Sequence, residues 1–202
     1  MLCEEQATIG ARVPNAGAQI RPDFTFLAGH PALDLCATLA GRLKPQAREL
    51  LAAPEDVARW LVQAELAEAP PPVSAADLER ARRLRESVYA LALARVRGER
   101  APAPARRQLN AIAAARSAVP QLAVGGRLHV SGSTRDFLAG LARSAVRLLG
   151  GDKAASIRQC EAQTCARLFI DASRTGERRW CSMSGCGNKA KVAEFRRRQQ
   201  QR

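Results

Sequence analysis

The chain has 202 residues, a net charge of +13 and a sequence pI near 10.8. That length supports one or two domains with a proper hydrophobic core. No stretch approaches the ~20 apolar residues of a membrane span, and Met1-Leu2-Cys3-Glu4-Glu5 opens no apolar leader; both point to a cytoplasmic protein without a membrane partner.

The excess charge points to polyanionic partners, nucleic acid above all. Only four of the 32 basic residues are Lys, and the abundance of Arg, Ala, Gly and Pro is that of a GC-rich genome, so some basicity reflects codon usage. Residues 151–202, however, hold 12 Lys/Arg against 5 Asp/Glu, and residues 1–150 hold 20 against 14. A quarter of the chain thus carries more than half of the excess, which codon bias alone would spread evenly.

Residues 1–22 lack periodicity and are rich in Gly, Pro, Asn and Ala, so they read as disordered. Order is expected from Phe24-Thr25-Phe26, a short alternating segment, and residues 32–39 read as a first helix, with Asp34 anchoring its entry or lining a ligand site. A second helix starts near Pro54, with Val57, Trp60, Leu61 and Ala64 on one face, and Pro70-Pro71-Pro72 ends that region. Ser74 and Asp77 resemble a capping box for a helix that runs to Arg97 and stops at Gly98, burying Leu78, Ala81, Leu84, Val88 and Leu91. A further helix carries Leu109, Ile112 and Ala113. Residues 121–130 give a hairpin signal around Gly125-Gly126. Ser133 then caps a helix that turns Phe137, Leu138, Leu141, Ala145, Leu148 and Leu149 inward, and Gly150-Gly151 is the natural domain boundary. Residues 23–150 therefore read as a mainly helical domain with a small β element.

Residues 151–202 read as a second domain. Cys160 and Cys165, then Cys181 and Cys186, are two C-x4-C pairs with fifteen residues between them. Tetrahedral Zn²⁺ takes four thiolates at about 2.3 Å, two from each of two short loops. The competing readings are two disulfides or unrelated core thiols; disulfide frameworks belong to secreted chains, whereas paired reduced cysteines favour one structural zinc. Cys3 and Cys36 lack partners in sequence and read as an exposed thiol and a small core residue. Leu168-Phe169-Ile170 reads as one strand, Arg178-Arg179-Trp180-Cys181 as its return, and Cys186 as the first turn of a helix, which together give a treble-clef-like hairpin and helix. So few apolar residues need metal to stay folded, and zinc supplies about 10–16 kcal/mol in small zinc modules.

The string Arg179-Trp180-Cys181-Ser182-Met183 through Cys186-Gly187-Asn188-Lys189, preceded by Asp171-Ala172-Ser173-Arg174, resembles the CGNR zinc-finger proteins. These bacterial proteins are regarded as stress-induced transcription regulators and usually carry an N-terminal ABATE-type domain. The opening of that domain resembles Phe24-Thr25-Phe26 with Gly29, Leu33-Asp34-Leu35 and Thr38. The resemblance covers about residues 23–198. It implies Cys160, Cys165, Cys181 and Cys186 as metal ligands and DNA as the partner. One departure is Lys189 where the motif has Arg; Lys keeps the charge and loses the planar fork.

In the last helix Val192 and Phe195 form a narrow apolar edge expected to pack on the zinc module, leaving Lys189, Lys191, Arg196, Arg197 and Arg198 for phosphates. Arg174, Arg178 and Arg179 on the hairpin extend the basic surface. The leading reading is therefore a zinc-containing DNA-binding regulator whose helical domain senses an effector or forms a homodimer. The second is a structural-zinc adaptor for RNA or a protein partner. An enzyme is not expected: His30 and His129 have no partner pattern for catalysis, His30-Pro31-Ala32 lacks the Glu of a zinc deaminase, and four cysteines close the metal site. A redox-responsive zinc site is a variant of the first reading.

Overall fold

A computed structural model describes residues 24–200; the expectations for residues 1–22 and for Cys3 lie outside the described residues. The helices are α1 (Pro31–Cys36), α2 (Pro54–Gln63), α3 (Ala75–Arg97), α4 (Ala103–Ala113), α5 (Thr134–Gly150) and α6 (Asn188–Gln200). Among the described residues there are three antiparallel pairs: β1 (Leu39–Ala40) with β2 (Arg48–Glu49), β3 (Val119–Leu122) with β4 (Leu128–Ser131), and β5 (Ile157–Gln159) with β6 (Leu168–Ile170).

Local chemistry sets the two long helices. The Ser74 hydroxyl accepts the Asp77 N–H at 3.2 Å while the Asp77 carboxylate accepts the Ser74 N–H at 3.1 Å. Ser133 and Asp136 repeat the exchange at the start of α5. Each box satisfies orphan donors of a first turn. Gly98 ends α3 at φ +67°, a left-handed cap that favours glycine. The helix α3 is the axis of the body and touches α1, α2, α4 and α5. Its predicted stripe from Leu78 to Leu91 is buried against Trp60, Leu61, Leu109, Ile112, Leu138 and Leu141. Ala64, Ala113 and Leu149, expected inside, are half-buried at the margin of that core.

Polar ties close the body. Asp34 is buried and accepts the Ala28 N–H at 2.9 Å, so it anchors the entry to α1 as expected, and burial raises its pKa. Buried Arg85 on α3 makes a two-pronged pair with Glu49 at 2.6 and 2.7 Å and reaches Glu86 at 2.7 Å. On α5, Arg143 donates to the Ala113 and Ala115 carbonyls at 2.8 and 2.6 Å, satisfying the free end of α4.

Two segments differ from expectation, and the hairpin around Gly125-Gly126 forms as expected. Phe24-Thr25-Phe26 forms no strand; Phe24 is buried as a plug and Arg59 lies over its ring. The first helix ends at Cys36 rather than Leu39, because Leu39 and Ala40 are drawn into the pair with Arg48 and Glu49. Cys36 is buried, as a small core residue should be. The β3–β4 hairpin forms with Gly125 and Gly126 at φ +94° and +77°, and Leu122, Val124 and Leu128 stay exposed. Among the described residues no helix is long and apolar enough to cross a membrane.

Candidate metal centre and basic surface

A 3₁₀ turn (Asp152–Ser156) leads from α5 directly into β5. The partner of β6 is β5, with Arg158 opposite Phe169, and not the segment 178–181. The turn after β6 explains the correction. Asp171 is buried and accepts the Ser173 N–H at 2.9 Å, the Ser173 hydroxyl at 2.6 Å and the Arg178 N–H at 2.9 Å. This folds 171–178 into a compact turn, and the chain returns across the cysteine knuckle instead of along β6. Glu161 N–H then bonds the Arg179 carbonyl at 3.0 Å. Hydrogen bonds from Ser173 and Arg178 hold the Asp171 pKa below its ordinary value.

The four cysteines converge. Cys160 follows β5, Cys165 ends the knuckle with its N–H on the Ala162 carbonyl at 2.8 Å, and Cys181 ends the returning segment. Cys186 lies in a π-helical turn (Met183–Gly187) that runs into α6. Their sulfurs all lie within 4.8 Å of one another, with Cys165 to Cys181 at 3.8 Å and Cys181 to Cys186 at 3.6 Å. A regular tetrahedron with metal–sulfur bonds of about 2.3 Å has sulfur–sulfur edges of about 3.8 Å. The set therefore fits one structural zinc ion. Without a cation four thiols at this distance cannot all ionise. A hydrogen bond from Cys181 holds the Cys165 pKa at about 5, that shared proton raises Cys181, and burial pushes Cys186 up to about 11. A divalent ion reverses the last two shifts by stabilising every thiolate.

The glycine after Cys186 has a packing reason. A Cβ on Gly187 would lie 3.0 Å from the Met183 sulfur and 3.1 Å from Trp180 Cδ1, so a larger residue would have to push Met183 or the tryptophan aside by a few tenths of an ångström. Ser182 caps that turn, its hydroxyl accepting the Gly185 N–H at 3.2 Å.

The basic residues divide into two groups. Arg178 turns inward: its guanidinium lies 4.5 Å over the Phe169 ring and donates to the Trp180 carbonyl at 2.9 Å and to the Cys181 carbonyl. It is a strut of the metal loop. Arg174, Arg179, Lys189, Lys191, Arg196, Arg197 and Arg198 are exposed. Arg179 pairs with Glu161 at 2.6 Å and lies over Trp180, while Arg197 and Arg198 share Glu194. The helix α6 buries no residue. Val192 and Phe195, expected to pack on the module, are 42% and 63% exposed, so the helix is held at its first turn and extends outward. Two apolar side chains three residues apart are too small an edge to hold it down.

A family model described as ABATE, "Putative stress-induced transcription regulator", matches residues 29–152. The chain belongs to the ABATE family. A second model, the CGNR zinc finger, matches residues 156–199. No curated protein matches the chain. In this ABATE–CGNR protein the two regions share one body: Ile157, Leu168 and Phe169 belong to the same buried cluster as Leu84 and Val88, and the Ile170 N–H bonds the Ala28 carbonyl at 2.8 Å. Sequence reasoning placed all four cysteines in one site and missed what Asp171 and Arg178 do there. An Asp-x-Ser turn signal was available for Asp171; nothing local tells that Arg178 points inward.

Proposed function

We propose that this protein is a DNA-binding transcription regulator whose zinc module presents α6 to the duplex, and whose helical body senses an effector or pairs two copies. The carrying observation is the state of α6: a helix with no buried residue, rooted at a metal ligand, carrying Lys189, Lys191, Arg196, Arg197 and Arg198. A helix of this kind has no role in the core, and its cations suit phosphates along a groove. Arg174 and Arg179 add charge beside its root.

A binding role rather than an enzymatic one is supported by the histidines. His30 accepts the Ala32 N–H on Nδ1 at 3.2 Å, which assigns the ring proton to Nε2, 3.0 Å from the Ser144 hydroxyl. The imidazole therefore donates to the serine, the reverse of what a serine nucleophile needs. His129 pairs with Glu68 on the surface at 3.2 Å.

The test is titration of full-length, zinc-loaded protein against duplex DNA over a range of salt. Log affinity should fall linearly with log salt, by about 0.9 per phosphate neutralised. Replacing Arg196, Arg197 and Arg198 together with Gln should weaken binding to all sequences and flatten the slope while zinc stays bound. Lys189→Ala separates the roles of the motif position: intact zinc with weaker binding marks a contact, and lost zinc marks packing. The exposed Val192 and Phe195 favour the second reading, an adaptor for a protein or RNA partner. Absence of any salt-dependent DNA binding at low ionic strength would leave the adaptor in place.

A further inference from the structure

A cleft of about 200 Å³ opens between the helical body and the zinc module. It borders the metal centre: Cys165 and Cys186 line it beside a partly apolar set, Ala37, Leu39, Ala40 and Ala166, and the cations Arg42, Lys44, Arg167 and Lys189. Two of these cations are committed. Arg42 makes a two-pronged pair with Glu86 at 2.7 and 2.9 Å, and Arg167 donates to the Thr25 hydroxyl and carbonyl at 2.6 and 3.3 Å. Lys44 and Lys189 have no ion-pair partner among the described residues, although they face one cleft from opposite regions. Lys44 is held at the mouth by its own turn: its N–H bonds the Gly41 carbonyl at 2.8 Å, and its stem lies over Gly41, where a Cβ would come within 3.2 Å of it. Thr164 also lines the cleft.

We propose that this cleft binds a small organic anion, its oxyanion group held between the Lys44 and Lys189 ammonium groups and its short carbon body against the alanines and Leu39. The concavity suits a compact ligand with one charged end; a duplex backbone is convex and touches only the rim. Carboxylate and phosphate share the required chemistry, several acceptor oxygens and at least one negative charge. A ligand seated there would join the loop after β1 to the first turn of α6. The proposal deepens the effector role of the body and rests on the regulator reading for its meaning, but binding is measured without nucleic acid, so failure of DNA binding leaves it standing.

The experiment is calorimetric titration of full-length, zinc-loaded protein with inorganic phosphate and, separately, butyrate, at constant ionic strength. Saturable binding of one or both is expected, and the stronger of the two identifies the head group. Lys44→Gln and Lys189→Gln should each weaken it about tenfold or more, the loss of one charge-assisted contact, while Lys153→Gln leaves it unchanged. Lys44 is decisive because it lies outside the proposed DNA surface. No saturable binding of either anion would overturn the proposal. So would Lys44→Gln weakening duplex DNA binding with no small anion bound, which makes the rim a seat for backbone phosphate. Loss of zinc in both variants would also overturn it, since the lysines would then serve the thiolates.

Discussion

The helical body and the zinc module differ in how much of their order comes from apolar packing. The body buries Trp60, Leu33, Leu35, Leu51, Leu61, Leu84 and Leu138 almost completely. Of its described hydrophobic residues the module buries Ala154, Ile157, Ala166, Leu168 and Phe169 besides two of its cysteines, and of these Ile157, Leu168 and Phe169 join the body's core cluster. The module is therefore half docked and half metal-held: β5 and β6 are finished by the body, whereas the knuckle, the segment 178–182 and the root of α6 depend on the four sulfurs. A boundary placed at Gly150-Gly151 marks where the chain changes composition, and the packing crosses it.

The largest expected effect breaks the metal-held half. Cys181→Ser, or a chelator, removes an ion that supplies about 10–16 kcal/mol in small zinc modules. Zinc content should fall to zero, and hydrogen exchange should speed up over 160–167 and 178–200 while β6 stays protected by its packing. Uniform loss of protection through α3 would show that metal and core form one cooperative unit. Phe169→Ala attacks the docked half instead. Phe169 is fully buried and carries Arg178 on its face, so removing the ring should cost about 3–5 kcal/mol. If the body's packing extends into the module, that loss lowers the main thermal transition; a change confined to residues 157–200 would restore an energetic boundary at Gly150.

How well each region could be read in advance follows the same division. Elements set by neighbours in sequence were readable: α3 between Ser74 and Gly98, α5 from Ser133, and four ligands whose spacing alone implies tetrahedral metal. Elements set by distant partners were not. Arg48-Glu49 has no strand pattern and pairs only because Leu39-Ala40 lies beside it. The β5–β6 pair was hidden because residues 168–170 have two candidate partners, and the Asp171 turn decides between them. The outward course of α6 was missed because apolar spacing tells that Val192 and Phe195 share an edge, and says nothing of whether anything lies opposite.

Smaller effects sharpen the contrast. Gly187→Ala places a Cβ 3.0–3.2 Å from Met183 and Trp180, an overpacking expected to cost about 1–3 kcal/mol. It should read out as weaker zinc binding in competition with a chromogenic chelator, with the body's melting temperature unchanged. Ser133→Ala removes a cap from the body alone and should cost about 1 kcal/mol, visible in the main thermal transition and not in zinc affinity.

The smallest effect is a pH dependence, and it distinguishes the regions by mechanism. Acid weakens the module because each thiolate that holds the metal must first lose a proton, so zinc is released as pH falls. In the body one titrating group is His30, which joins α1 to α5 through Ser144. Burial, reinforced by the charge of Lys153, lowers its pKa from the ordinary 6.5. The unfolded chain therefore binds the proton more readily, so its stabilising contribution is present above about pH 6.5 and is lost as pH falls toward the lower folded value. His30→Asn keeps an N-cap acceptor for the Ala32 N–H without a titrating group. Between pH 7 and pH 5 the wild-type melting temperature should fall more than that of His30→Asn, with both proteins zinc-saturated and their metal content measured at each pH. Parallel curves would place the acid sensitivity in the thiolates and leave the α1–α5 contact indifferent to protonation.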